Sequence, residues 1–201
     1  MITLILARHG ETDWNRDGRL AGLTDKPVLT KKGKKQAEAL AKKLQDLAVD
    51  VVYSSRLKRA AQTAQIIAKT LDKKIIYSKY LNERSWGIYE GKDKESVFKK
   101  LDQMDVKRRF DYKPIGGESW REFEKKLLKF FKRLIGKNEG QTVLVITHGG
   151  TIRALFHILK NVNREKSLDL KFHNTSLTTL KMVDGRVEEE LINDISHLKP
   201  I

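Results

Sequence analysis

Two histidines stand between a strand-like run and a glycine. Arg8-His9-Gly10 follows Thr3 to Ala7, and His148-Gly149-Gly150 follows Thr142 to Thr147. Imidazole serves as nucleophile, base or acid near neutral pH. The adjoining Arg8 supplies a planar fork matched to phosphate oxygens, and a glycine after each histidine removes bulk that would keep the backbone away from a ligand. A second basic group lies in Ser54-Ser55-Arg56-Leu57-Lys58-Arg59, at the start of a helical pattern, where free N–H groups and the helix dipole favour anions. Arg56 and Arg59 are one turn apart, so either or both can face the same strand ends. These residue types suit the handling of a phosphoryl group. His157, His173 and His197 have no such surroundings and read as ordinary core or surface histidines.

Composition removes several alternatives. Without cysteine there is no thiolate nucleophile, disulfide or Cys-ligated metal site. Hydrophobic residues at 39% and charged residues at 33% suit a globular protein, and the 201 residues fit one domain. The apolar N-terminal run meets Arg8 and His9 too soon for a signal peptide or membrane span, so a cytoplasmic protein is expected. Lys and Arg number 41 against 26 Asp and Glu, a formal charge of +15. That surplus either draws anions or only clothes the polar faces of helices. Aromatics are sparse at 7% and no nucleic-acid motif is present, so neither nucleic acid nor membrane is expected as a partner.

The elements that must position these residues follow from hydrophobic period. Strands are expected at Thr3 to Ala7, Val49 to Tyr53, Ile75 to Tyr77, Thr142 to Thr147 and Ser176 to Val183. The last of these turns at Asp184-Gly185 into Val187 to Ile192. Helices are expected from Lys31 to about Leu47, capped by Thr30, from about Leu57 to Leu71, from Glu118 to Leu134 and from Thr151 to Leu159. This alternation predicts a three-layer α/β/α sandwich, a mainly parallel sheet with helices on both faces. Ligands collect beyond the carboxyl ends of such strands, where His9 and His148 stand. The least regular stretch, Lys92 to Gly117, reads as a short helical cap inserted into a single domain spanning 1–201.

The segments Arg8-His9-Gly10-Glu11-Thr12 with Trp14-Asn15, Ser54-Ser55 to Thr63, Leu81-Asn82-Glu83-Arg84 with Gly87 and Glu90-Gly91, and Thr147-His148-Gly149-Gly150 resemble, in order, the motifs of the histidine phosphatase superfamily. That family includes cofactor-dependent phosphoglycerate mutases and small phosphatases. The resemblance covers nearly the whole chain and implies a phosphoglycerate mutase-like fold. It further implies that His9 is the nucleophile that becomes phosphohistidine, with Arg8, Arg59 and His148 holding the phosphoryl oxygens in place of a metal. Glu83 would give and take the proton, the bland alternative being a surface pair with Arg84. Asn15, Gly149 and Gly22 would contact substrate, Arg56 would lie at the rim, and Glu11 and Thr12 would fix the loop around His9.

The same resemblance leaves two activities open. A phosphatase admits water to the phosphohistidine, whereas a mutase excludes it and retains a bisphosphate. The short segment after the Glu83 motif, with Gly116-Gly117-Glu118-Ser119 directly following, favours a phosphomonoesterase acting on small phosphorylated metabolites without a cofactor. Arg108 and Arg109, in Lys107-Arg108-Arg109-Phe110-Asp111, are similar to a mutase segment that grips the far end of the substrate, which keeps a 2,3-bisphosphoglycerate-dependent mutase as the alternative. A monomer or homodimer is expected.

Overall fold

In the computed structural model, which describes residues 1–160 and 162–198, the chain runs through β1 (Ile2–Arg8), a one-turn α1 (Asp13–Arg16), α2 (Lys31–Leu44), β2 (Val51–Ser55), α3 (Lys58–Leu71) and β3 (Ile75–Ser78). Two short helices, α4 (Lys94–Leu101) and α5 (Val106–Asp111), precede α6 (Trp120–Lys137) and β4 (Thr142–Thr147). The chain continues through α7 (Gly149–Lys160), α8 (Arg164–Asp169), β5 (Leu177–Val183) and β6 (Arg186–Asp194).

The strands form one sheet in the order β3-β2-β4-β1-β5-β6. β3, β2, β4 and β1 pair in parallel, while β5 and β6 are antiparallel. The hairpin turns at Asp184 and Gly185, with φ of 48° and 78° respectively, the left-handed pair that matches strand twist.

Alternation along the central strands explains the layers, because successive side chains leave opposite faces of a sheet. Leu4, Leu6, Val143 and Val145 face one side and pack on Phe123, Leu127 and Phe131 of α6 and Ile152 and Leu155 of α7. Their neighbours Ile5, Ala7, Leu144 and Ile146 face the other and meet Leu40 and Leu44 of α2 and Ala60, Ala64 and Ile67 of α3. Both faces are dry, so these strands read as continuous apolar runs. Among the described residues no helix is long and apolar enough to cross a membrane.

Helix ends differ from the sequence expectations for local reasons. Thr30 does cap α2, its hydroxyl accepting from Gly33 N, but the helix stops at Leu44. Ser54 and Ser55 belong to β2, and Leu57 precedes α3 without a side-chain bond. Ser119 and Glu122 form a reciprocal capping box that starts α6 at Trp120. The same device, Thr12 with Asn15, builds α1, which periodicity cannot detect in four residues. Within the irregular stretch, Val97 and Leu101 of α4 cover Leu20 and Trp86 as a small satellite cluster.

Candidate active site

Strand register brings the two histidines together. Arg8 pairs with Thr147 across β1 and β4, and His9 N donates to Thr147 O at 3.0 Å. His9 and His148 therefore leave adjacent strands side by side, their rings edge to face with centroids 5.2 Å apart. Ser54 of β2 is level with Ile146 of β4, which sets Ser55 beside the His148 turn.

His9 is 3% exposed. Its Nδ1 lies 2.8 Å from Gly10 O, a carbonyl that can only accept, so Nδ1 carries the proton and Nε2 bears the lone pair. Burial first, and then the charges of Arg59 and Arg8, hold this imidazole well below its ordinary value. It is neutral at pH 7, with the Nε2 lone pair available.

The tautomer of His148 follows by elimination. Arg56 N donates to Asn82 Oδ1 at 3.0 Å, fixing that atom as the acceptor. Ser55 Oγ, 2.9 Å from the same oxygen, must spend its one proton there, and it accepts from Leu57 N at 3.1 Å. Toward His148 Nε2, 2.8 Å away, Ser55 has only a lone pair left. Nε2 thus carries the proton of neutral His148, and Nδ1 is a bare acceptor. Burial and the same arginines depress its basicity too.

Arg8 and Arg59 are fixed by backbone carbonyls. Arg8 Nη1 donates to Phe172 O at 2.7 Å, and Arg59 Nη1 and Nη2 donate to Thr24 O and Gly22 O at 3.0 and 2.7 Å. Burial pulls each guanidinium down to about 10, so both remain cationic at neutral pH. Arg8 Nε, Arg59 Nε and His148 Nδ1 are buried without a partner. Buried polar atoms are ordinarily paired; the two orphaned guanidinium donors fit the oxygens of a tetrahedral anion, while His148 Nδ1 offers a lone pair to a protonated one.

Glu83 is held by two backbone donors, Arg84 N to Oε1 and Gly150 N to Oε2, each at 2.9 Å. Arg84 does not pair with it. The Arg84 guanidinium is buried over the Trp86 ring, 3.8 Å from its centroid, and donates to Glu118 O. Asn15 Oδ1 accepts from Thr12 N and from Asn174 Nδ2, which leaves the Asn15 amide as a donor toward the cavity. Glu11 and Thr30 lock the loop after His9 through a side-chain bond of 2.9 Å.

Arg8, His9, Asn15, Gly22, Arg59, Glu83 and Gly149 line one cavity of about 330 Å³; His148 lies behind His9 at 1% exposure. Gly149 opens α7, whose N-terminus adds its own preference for an anion. Gly22, at φ 56°, contributes by receiving Arg59 on its carbonyl. Gly10 serves a different purpose from the one expected: a Cβ there would lie 2.4 Å from Gly33 O, so its bareness admits helix α2, not a ligand. Arg56 is exposed and outside the lining.

Two expected contacts are corrected. Arg108 is 82% exposed and pairs with Asp105, and Arg109 pairs with Asp102. Neither lines the cavity. The helix α5 that carries them turns its apolar Phe110 inward, which sends Arg108 into solvent and leaves Arg109, its side chain 20% exposed, against Asp102. Four cations that sequence reasoning missed line it instead: Arg19, Lys94, Arg153 and Lys171. Arg153 had a signal, since it lies on the helix that His148-Gly149-Gly150 opens; Lys171 follows α8, which no periodic pattern announced.

The sequence profile of the histidine phosphatase superfamily (branch 1) matches residues 4–195. The chain belongs to that superfamily. Both mutases and phosphatases stand among its relatives. It is 36% identical, over 82% of its length and 84% of theirs, to a 2,3-bisphosphoglycerate-dependent phosphoglycerate mutase from Bartonella henselae. It is 32% identical to phosphoserine phosphatase 1 from Hydrogenobacter thermophilus, covering 98% of this chain and 95% of that one. Among solved structures, Bacillus stearothermophilus YhfR superposes with a TM-score of 0.86 at 29% identity, over 98% and 99% of the two chains. This superfamily membership and the mostly parallel sheet agree with the sequence reading of a phosphoglycerate mutase-like fold.

Proposed function

We propose that the protein is a metal-independent phosphomonoesterase that passes the phosphoryl group of small phosphorylated metabolites through His9 to water. The observation that carries this reading is the bare Nε2 of a neutral, buried His9 beside the orphaned donors of Arg8 and Arg59.

In the first step Nε2 attacks phosphorus in line, an N–P bond forms, and the P–O ester bond breaks. Glu83 gives the departing oxygen its proton. In the second step water attacks the phosphohistidine, returns a proton to Glu83 and releases phosphate. Arg8 and Arg59 stabilise the oxygens throughout, the electrostatic work that dominates phosphoryl transfer. Because neutral His148 presents only a lone pair at Nδ1 and is a poor base, it accepts a hydrogen bond from the protonated oxygen of the phosphate monoanion.

A mutase dependent on 2,3-bisphosphoglycerate is the second reading, favoured by the mutase relative and by the surplus of cations in the cavity. Purified protein incubated with p-nitrophenyl phosphate and EDTA separates the two. Continuous release of inorganic phosphate is expected, with His9→Ala losing both phosphoenzyme labelling and turnover by at least about 1000-fold, as for removal of other nucleophiles. Isomerised phosphoglycerate formed only with added bisphosphate would replace the hydrolase by the mutase.

A further inference from the structure

One turn beside His9 is bent in a way its sequence does not favour. Thr175 sits at φ 58°, in the left-handed region that a β-branched residue rarely enters. The other non-glycine residues with positive φ among those described are Asp72, Asp184 and Asn193, of the types that tolerate it. Such a conformation persists only where surrounding contacts enforce it. Thr175 is fully buried, and its N–H donates to Arg8 O at 3.0 Å. The preceding Asn174, in the cavity wall, donates Nδ2 to His9 O at 3.0 Å and to Asn15 Oδ1 at 3.1 Å. One side-chain amide therefore fixes both the backbone of His9 and the orientation of Asn15.

What enforces the bend comes from the last strand and the residues after it. Thr175 Oγ1 gives its proton to Asn174 O at 2.7 Å, so toward His197 Nε2, 3.2 Å away, it presents a lone pair. His197 Nε2 is the donor, and its Nδ1 is buried without a partner. The imidazole arrives there on a braced segment. Lys43 of α2 holds Asp194 and Ser196, Ser196 N donates to Asp194 Oδ1 at 2.9 Å, and Leu198 N donates to Ile195 O at 2.8 Å. Where β6 is bulged, between Leu191 and Asp194, Asn193 Oδ1 accepts from His173 N at 2.8 Å and ties the same turn a second time. Nothing near His197 in the sequence marks it; the sheet delivers it, because β6 ends at Asp194 opposite Leu177, two residues past Thr175.

We infer that His197 is a positioning residue for the nucleophile: its bond to Thr175 holds the left-handed turn that aims Asn174 at His9 and Asn15. His197 itself lies outside the cavity lining. For the chemistry at His9 this rests on the phosphomonoesterase reading above, but the turn also shapes anion binding, whether or not an ester is turned over.

Calorimetric binding of inorganic phosphate and hydrolysis of p-nitrophenyl phosphate, run in parallel, test it. His197→Leu should weaken phosphate binding about 10-fold and lower kcat/KM about 10- to 100-fold, the scale for a misplaced reacting group. His197→Gln keeps an N–H where Nε2 stands and should return both to within about threefold of the wild type, a rescue that filling space alone does not give. Glycine adopts positive φ without strain, so in Thr175→Gly the turn no longer needs the clamp. Adding His197→Leu to that variant should cost less than about twofold, the non-additivity of residues that act as one unit. His197→Asn, whose amide stops short of the place of Nε2, substitutes for His197→Leu if the latter does not fold, with the same losses expected. A loss within about twofold for the removal variant, no rescue by glutamine, or an equal loss in both backgrounds overturns the assignment. If phosphate binding follows the expected pattern while p-nitrophenyl phosphate is not hydrolysed, the phosphomonoesterase reading falls and the positioning role stands.

Discussion

Ser55 Oγ lies 2.8 Å from His148 Nε2 and has no proton to offer it, because that proton is given to Asn82. The serine therefore decides which nitrogen of His148 is bare.

Ser55→Ala removes this constraint and leaves Leu57 N and the histidine without their shared acceptor. We expect kcat/KM to fall about 10- to 100-fold, the range for loss of an orienting partner, and stability to fall by about 1–3 kcal/mol for the unmet buried groups. Ser55→Thr should restore much of the rate. A purely structural serine would leave the pH profile unmoved, whereas here the limb belonging to His148 shifts; stopped assays across pH 5 to 8 decide between them.

Glu83 and Gly150 make one device. A Cβ on Gly150 would lie 2.3 Å from Glu83 Oε1, so Gly150→Ala must displace the carboxylate. Both Gly150→Ala and Glu83→Gln should slow hydrolysis of alkyl phosphates about 100- to 10,000-fold, the usual worth of general acid catalysis. Nitrophenyl phosphate, whose leaving group needs little protonation, should lose far less. Equal losses on both esters would remove Glu83 from proton transfer.

The buried histidines also link stability to pH. His9 and His148 resist protonation in the folded state, while in the unfolded chain they titrate near 6.5. The unfolded state then binds more protons below pH 6.5, and stability rises with pH through that range. Each histidine contributes about 1.4 kcal/mol per pH unit until its folded value is reached. Tm should climb between pH 5 and 7 and climb less steeply in His9→Asn. If His9 is the nucleophile proposed above, activity should show no decline centred on 6.5 as pH falls on its account, since this imidazole is already neutral.

Much of this site was legible because it hangs on the ends of strands. Apolar runs at Thr3 to Ala7 and Thr142 to Thr147 located β1 and β4, and the motif residues after them mark where those strands stop. What escaped depends on features without period or motif. α1 is built by a capping box in four residues, and α8 is six residues long. Lys171 reaches the cavity only because Arg8 and Arg153 grip the carbonyls on either side of it. Gly10 was read as room for a ligand because its contact with Gly33 joins segments that no local pattern connects.

The outward placement of Arg108 gives a control. Arg108→Ala should leave kcat/KM on any phosphomonoester within about twofold of the wild type, as expected for an exposed charge away from the chemistry. A tenfold rise in KM for a phosphorylated acid, measured under initial-rate conditions, would return this arginine to the substrate.

The chain has three tryptophans, and all of them stand at the cavity: Trp86 and Trp120 line it, and Trp14 lies beneath the wall residue Arg19. Their indoles pack against guanidinium groups, Arg84 lying 3.8 Å from the Trp86 centroid and 4.8 Å from that of Trp120. Under excitation selective for indole, the emission thus originates beside the cavity. Unlabelled protein is its own optical titrant, and anion occupancy can be followed by emission intensity in real time.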